Sequence, residues 1–468
     1  MSAFLGVRPI VGAACIALLI AACGREPAPA PANVVLVTVD TLRADRVSFD
    51  RYALPTTPFL ASLAEEGVVF EQAYAPSSWT PPSMASLFTS VYPTTHGVTS
   101  GGIRDGAAHR QPVLGERFVT LAELAREAGY LTIGVPANRH LSEELGFGQG
   151  FDHYYGEAGF LKASEVNREV LRLMQAAFGP NWRLERKRHK LFLWVHYFDP
   201  HDPYVPYEPW TRVYDPGFRR DDPQSPAFLI MKDLQKRFPE ITPELRARIG
   251  RLYDAEIRRF DDHFAALWQE LGFGDETLLV MTADHGEAMG ERGRLGHSHS
   301  LHEEQIHVPF LARWPERLPR GLRIDEPVGI LDVYPTLAEL MGAPIPESAR
   351  GRSLVPLFEE GFDPSAQART VPLYYELHRP RTPTTGLRSG RWKLLVERRK
   401  RGERRQLFDL EADRGELRDV SAEHPELLER LTAQAEAWRE ALERGEAETR
   451  ELTDPETLEQ LRAMGYVE

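Results

Sequence analysis

"NVVLVTVD", residues 33–40, is a nearly unbroken run of β-branched and apolar side chains that ends in a carboxylate. Apolar residues at both odd and even positions describe a strand buried on both faces, the pattern of a parallel sheet covered by helices. Two more stretches repeat the design. "KLFLWVHYFDPHDPY" (190–204) is an apolar strand that runs into a polar, proline-bearing loop, and "ETLLVMTADHGE" (276–287) is another that ends in acids and a histidine. Between them lie segments of helical spacing. "PFLASLAEEGVVF" (58–70) and "LAELAREAGYLTIGVPAN" (121–138) each pass from a helix into a strand, and "RLYDAEIRRFDDHFAALWQELG" (251–272) is a longer helix closed by Gly272. This alternation predicts an α/β fold with a central, mostly parallel sheet flanked by helices. Polar groups gather where the strands end, the edge at which open α/β sheets bind ligands.

Beyond about residue 370 the pattern shortens to alternating pieces, "VPLYYEL", "GLRSGRWKLLVE" and "RQLFDLEADRGE", followed by the helical "HPELLERLTAQAEAWREALERG". A smaller C-terminal α+β subdomain of antiparallel sheet plus helix is expected over 370–468, after a main domain over 33–369. No internal repeat is present. The basic run Arg398, Arg399, Lys400, Arg401, Arg404, Arg405, broken by Glu403, reads as a solvated hairpin tip.

At the N-terminus, Arg8 precedes "IVGAACIALLIAAC" (10–23), too short for a comfortable membrane span and suited to a signal peptide over 1–22. Ile20-Ala21-Ala22-Cys23 resembles a bacterial lipobox, so Cys23 is the expected lipidation site. "GREPAPAPAN" then forms a Pro/Ala tether through residue 32. Because Gly24 follows the cysteine, the expected location is the bacterial cell envelope, lipid-anchored at the outer membrane. With 42% hydrophobic and 27% charged residues the rest has a globular composition. A formal net charge of −13 excludes nucleic acid as a main partner.

Asp40 ends one buried strand and Asp284-His285 another. Two carboxylates and an imidazole meeting at one sheet edge form a site for one divalent metal ion, Ca, Mn, Mg or Zn. Histidines cluster in the neighbouring loops: His196 and His201 in "HYFDPHDPY", and His297, His299, His302 and His307 in "GHSHSLHEEQIH". Two or three of these are expected at substrate, with the rest packed. In "SSWTPPSMASLFTS" (77–90) a helix start follows Thr80. There, unpaired backbone N–H groups would favour an anion, and a nearby metal could activate the hydroxyl.

These residues resemble the sulfatase branch of the alkaline phosphatase superfamily over nearly the whole chain. The markers are "NVVLVTVDTLRAD", "ASLFTSVYPTTHGV", "FDPHDPY", "TADHGE", "LHEEQIHVPF" and "QLFDLEADRGELRDV". The resemblance implies an alkaline-phosphatase-like fold and an ester hydrolase. It aligns Thr80-Pro81-Pro82-Ser83-Met84 with a pentad whose first residue, Cys or Ser, is oxidised to formylglycine. Thr80 cannot be so converted, Met84 replaces an arginine, and Thr41 stands where a second acidic ligand is expected. A threonine there is similar to the phosphoester-cleaving relatives, in which it is the nucleophile. By the same resemblance His201 lies near the leaving group. Asn138 and His140 occupy a substrate clamp, and His297 and His299 flank Ser298, which replaces a lysine; the expected catalytic residues are thus Thr80, His201 and His299, with Asn138, His140, His297 and His196 at the substrate. The expected activity is cleavage of phosphate (or sulfate) esters on a small molecule, glycan or lipid headgroup, with Thr80 as nucleophile. The alternatives are a sulfuric ester hydrolase using metal-activated water, and a non-catalytic lipoprotein that binds an anion or glycan.

Overall fold

The computed structural model describes residues 30–461, apart from 101–102, 106–107, 157–158, 220–233, 237–239, 359–370, 446–447, 452, 454, 456–457 and 460. The expected signal peptide and Cys23 lie outside the described residues. Among the described residues no helix is long and apolar enough to cross a membrane.

The opening stretch forms strand β1 (Asn33–Val39), buried at every position, as its two-sided apolar pattern requires. It lies at the middle of a nine-stranded sheet. The other strands are β2 (Val68–Tyr74), β3 (Tyr130–Pro136), β4 (His153–Tyr154), β5 (Lys190–Tyr197), β6 (Thr277–Ala283), β7 (His307–Arg313), β8 (Leu322–Ile324) and β9 (Val328–Gly329). Their order is β8-β2-β7-β6-β1-β5-β3-β4, with β9 also on β2. Only β7 breaks the parallel arrangement, running antiparallel to both β2 and β6. The α/β class is therefore as the pattern of residues implies.

Register decides what the sheet edge carries. Val39 stands opposite Tyr197 on one side and Ala283 on the other, both strands parallel to β1. The residues that follow these three strand ends therefore leave the sheet side by side, which brings Asp40, Asp284 and the loop after Tyr197 to one place. Helix α1 (Thr80–Thr89) packs beneath them with all ten residues buried. Helix α2 (Pro243–Leu271) starts eight residues before the expected position, because Thr242 caps it through its side chain and Pro243 supplies a preformed first turn. Its end at Gly272, with φ 58°, is the expected left-handed cap.

Strands β10 (Leu373–Leu377), β11 (Thr384–Ser389), β12 (Trp392–Arg399) and β13 (Gly402–Asp409) form a four-stranded antiparallel sheet in chain order. Leu387, Leu394, Val396 and Leu407 on it share a small core with Leu431 and Ala435 of helix α3 (Pro425–Ala441). Tyr375, Leu395 and Phe408 belong instead to the main core. A buried ionic group ties the sheet down. Lys393, fully buried, lies 2.8 Å from Glu303 and 2.9 Å from Glu416, and Glu416 also sits 3.0 Å from His302 Nδ1. Two of the motif residues in "LHEEQIHVPF" thus hold the C-terminal sheet.

Candidate functional site

Asp40, Asp284 and His285 are wholly buried, and each offers one ligand atom within 4.8 Å of the others. His285 Nε2 is 3.8 Å from Asp40 Oδ1 and 3.5 Å from Asp284 Oδ2. Each donor is oriented from behind. The Asn138 amide donates to Asp40 Oδ2 at 2.7 Å. Asp284 Oδ1 accepts from the backbone N–H groups of His285 (2.8 Å) and Thr41 (3.2 Å). His285 Nδ1 is 2.8 Å from the Gly286 carbonyl, which can only accept, so Nδ1 carries the proton and Nε2 presents its lone pair. Asp284 Oδ2 and Thr41 Oγ1 are buried without a hydrogen-bond partner among the described residues. An orphaned carboxylate oxygen is costly unless a cation completes it. These donors therefore fit a divalent ion.

Thr41 adopts a left-handed φ of 56°, rare for a β-branched residue. The Tyr253 hydroxyl, donating to its carbonyl at 2.6 Å, and Asp284 hold it there. Such strain, about 1–3 kcal/mol, persists where the surroundings over-determine it.

Thr80 is 1% exposed, and its Oγ1 lies 3.4 Å from Asp40 Oδ1 and 3.2 Å from His285 Nε2. It is the first residue of α1, not the cap before it; Trp79 occupies the cap and makes no side-chain bond. The expectation of a helix N-terminus rich in free N–H groups is corrected here. Pro81 and Pro82 have none, and the Ser83 N–H is spent on the Trp79 carbonyl. An anion must be held mainly by side chains. The Ser83 hydroxyl, donating to the Asp284 carbonyl, fastens the helix to the end of β6.

A second buried group, His201, Asp202 and His297, adjoins the first. The His297 ring lies 4.8 Å from that of His285 and 4.9 Å from that of His201, which stacks on Phe198 at 4.4 Å. His201 Nδ1 is held by the Asp202 carbonyl at 2.5 Å. His297 Nδ1 meets Glu287 Oε1 at 3.0 Å, and Tyr204 donates to Glu287 Oε2 at 2.7 Å. Glu287 thus ties three site loops together. It closes "TADHGE" but has no signal of its own in the sequence, because its partners come from the loops after β5 and β6.

The remaining expected residues are distributed as follows. His196 lies beneath Asp40, its Nδ1 2.9 Å from Thr38 Oγ1 and its Nε2 3.6 Å from Asp40 Oδ2. His140 holds Gln111 at 3.1 Å, beside Asn138, which accepts from the His140 N–H at 3.0 Å. His299 turns aside: its Nε2 engages the Leu295 carbonyl at 2.8 Å, and it lines a neighbouring cleft.

Electrostatics separate these groups. Burial opposes the Asp40 charge, but His201, His196 and His285 outweigh it and hold Asp40 well below the usual carboxylate range. Asp284 is pushed up by burial and then by Asp40. Glu287 is pushed up to about 8 by burial and the nearby Asp202. His201 reaches about 9: burial works against its charge, while Asp40, Asp202 and Glu287 more than compensate. His297 is held well below the imidazole range by burial and by His285 and His201. Two adjoining imidazoles thus differ in character, one a proton donor at neutral pH and one neutral.

Residues 32–343 match the family model described as Sulfatase, and residues 290–441 match the one described as N-sulphoglucosamine sulphohydrolase, C-terminal. Choline-sulfatase of Rhizobium meliloti (strain 1021) is 28% identical over 448 residues, covering 84% of this chain and 83% of that protein. The phosphonate monoester hydrolase of Silicibacter pomeroyi has a TM-score of 0.66 at 23% identity, over 88% of this chain and 96% of that one. A protein solved with its substrate D-glucosamine-2-N,6-O-disulfate has a TM-score of 0.69 at 18% identity, over 88% and 98%. The two structural likenesses establish the fold.

Proposed function

The chain belongs to the sulfatase family, and from that premise we propose that it is a metal-dependent hydrolase of phosphate esters in which Thr80 is the nucleophile. Family membership makes it an ester hydrolase, which sets aside a purely anion-binding lipoprotein. The observation that carries the finer reading is the position of Thr80 Oγ1, 3.4 Å and 3.2 Å from two of the three candidate ligands. A divalent ion held by Asp40, Asp284 and His285 would supply the Lewis acidity that makes a hydroxyl reactive near neutral pH. Asn138 keeps Asp40 in place through its 2.7 Å bond. As Oγ1 attacks, its proton would pass to one of the two acceptors within reach, Asp40 Oδ1 or the His285 Nε2 lone pair. Attack forms the bond from Oγ1 to phosphorus and breaks the bond to the ester oxygen, and His201 protonates that oxygen as it leaves. Fixed through Nδ1 and stacked on Phe198 beside the metal-donor set, His201 is placed for that role. Water then hydrolyses the phosphothreonine. Sulfate esters attacked by water are the second reading, favoured by the choline-sulfatase similarity across 84% of the chain.

A panel of 4-nitrophenyl phosphate, bis-4-nitrophenyl phosphate and 4-nitrophenyl sulfate, with Ca, Mn, Mg or Zn added back, tests the choice. Faster turnover of the sulfate than of either phosphate would overturn the first reading. The lipobox motif supports a further part of the proposal, lipid anchoring through Cys23 at the cell envelope. Recovery of intact wild-type protein in the soluble periplasmic fraction would refute it.

A further inference from the structure

The loop 297–300 joins two places. His297 packs on His285 and His201, and the Ser298 N–H donates to the Ser78 carbonyl at 3.0 Å, two residues from Thr80. The next residue, His299, lines a separate open cleft of about 350 Å³ between this loop and one face of the C-terminal sheet. That volume suits a ligand group of saccharide size.

Five arginines and three glutamates line the cleft. Every glutamate already has a partner. Glu291 lies 2.9 Å from Arg43 and 2.7 Å from Arg246; Glu304 is 2.7 Å from Arg292, and Glu397 is 2.8 Å from Arg399. Three arginines remain. Arg379 makes a 3.4 Å bond to the His299 carbonyl, Arg404 stands opposite Glu397 and shares its charge with Arg399 and Arg379, and Arg294 lies outside these pairs. All three are exposed. On a chain with a formal net charge of −13, a concave wall with five guanidinium groups against three carboxylates, one of which is engaged outside the cleft, is a selective feature. It also gives the basic hairpin at 398–405 a use, since Arg399 and Arg404 beside its turn form part of the wall.

We infer that this cleft is a subsite for a second anionic group of the substrate, so that the ester cleaved at Thr80 is borne on a polyanion such as a multiply sulfated or phosphorylated saccharide. Guanidinium forks bind sulfate, phosphate and carboxylate through paired hydrogen bonds. The inference rests on the ester-hydrolase reading for what the cleft serves, whereas its test reads binding alone.

The probe is sucrose octasulfate, titrated calorimetrically into the full chain in detergent, with sucrose as the neutral control. The wild type should bind the octasulfate and not sucrose, with affinity that falls as salt rises. Arg294→Glu combined with Arg404→Glu should weaken binding at least tenfold. Arg168→Glu, an exposed charge change on the helix Ala163–Phe178, should leave it within twofold. Exposure of Arg294 and Arg404 keeps folding intact, which a Tm within a few degrees of wild type verifies. Unchanged affinity in the double variant, or an equal loss in Arg168→Glu, would overturn the inference. If the ester panel shows no turnover while the double variant still loses octasulfate binding, the reaction assigned above fails and the subsite stands.

Discussion

Replacing Thr80 by alanine removes the proposed nucleophile while leaving every candidate metal donor in place. The structural cost is small. Thr80 Oγ1 lies 3.4 Å from Asp40 Oδ1 and 3.2 Å from His285 Nε2, and its single proton can serve only one of these acceptors. The loss of one such bond costs about 0.5–1.5 kcal/mol. The variant should therefore fold, with Tm lowered by a few degrees. Asp40, Asp284 and His285 remain, so metal content measured by plasma emission should stay near wild type. Turnover should behave differently. Loss of a covalent route that splits one displacement into two should lower kcat for 4-nitrophenyl phosphate by at least about 10³, or about 4 kcal/mol in the barrier. Thr80→Ser, which keeps a hydroxyl, should retain part of the rate. Acid quench of the wild type followed by peptide mass spectrometry should find phosphate on the peptide that contains Thr80. An alanine variant that binds metal and turns over at the wild-type rate would refute the mechanism and identify water as the nucleophile.

Chelation with EDTA should abolish turnover and lower Tm, since an ion at about 100 times its Kd contributes about 2.7 kcal/mol; an unchanged melting curve would argue against a bound metal. His201→Ala should slow alkyl phosphates by about 10²–10⁴ and nitrophenyl esters much less, a split visible in kcat. Glu416→Gln should destabilise the fold by about 3 kcal/mol in urea unfolding, because Lys393 and His302 lose a buried counter-charge. Burial opposes the Glu416 charge, yet Lys393 and His302 bring it down to about 2. Its contribution is therefore complete above the ordinary value of about 4.5 and disappears as pH falls toward about 2. The glutamine variant should lack that part of the acid dependence, and identical pH curves for the two proteins would contradict the assignment.

Much of this molecule was legible before any coordinates. Two-sided apolar runs of seven or eight residues, rich in β-branched and aromatic side chains, favour strands covered on both faces, so residues 33–39, 190–197 and 277–283 were legible as sheet and Asp40 and Asp284 as its polar edge. Helix periodicity and glycine capping are equally local, which is why Gly272 ended its helix where expected. Strand neighbourhood is not local. That β1 lies between β5 and β6, with Val39 level with Tyr197 and Ala283, was decided by the packing of the whole sheet, and this register alone makes a site out of three distant strand ends. Loops carry no period, so side-chain direction there follows from non-local partners. Three histidines within six residues, all the same in sequence, take different roles for that reason. His297 faces His285 and Glu287, His299 turns to the Leu295 carbonyl and the basic cleft, and His302 is drawn away to Glu416 by a buried lysine 91 residues further along the chain.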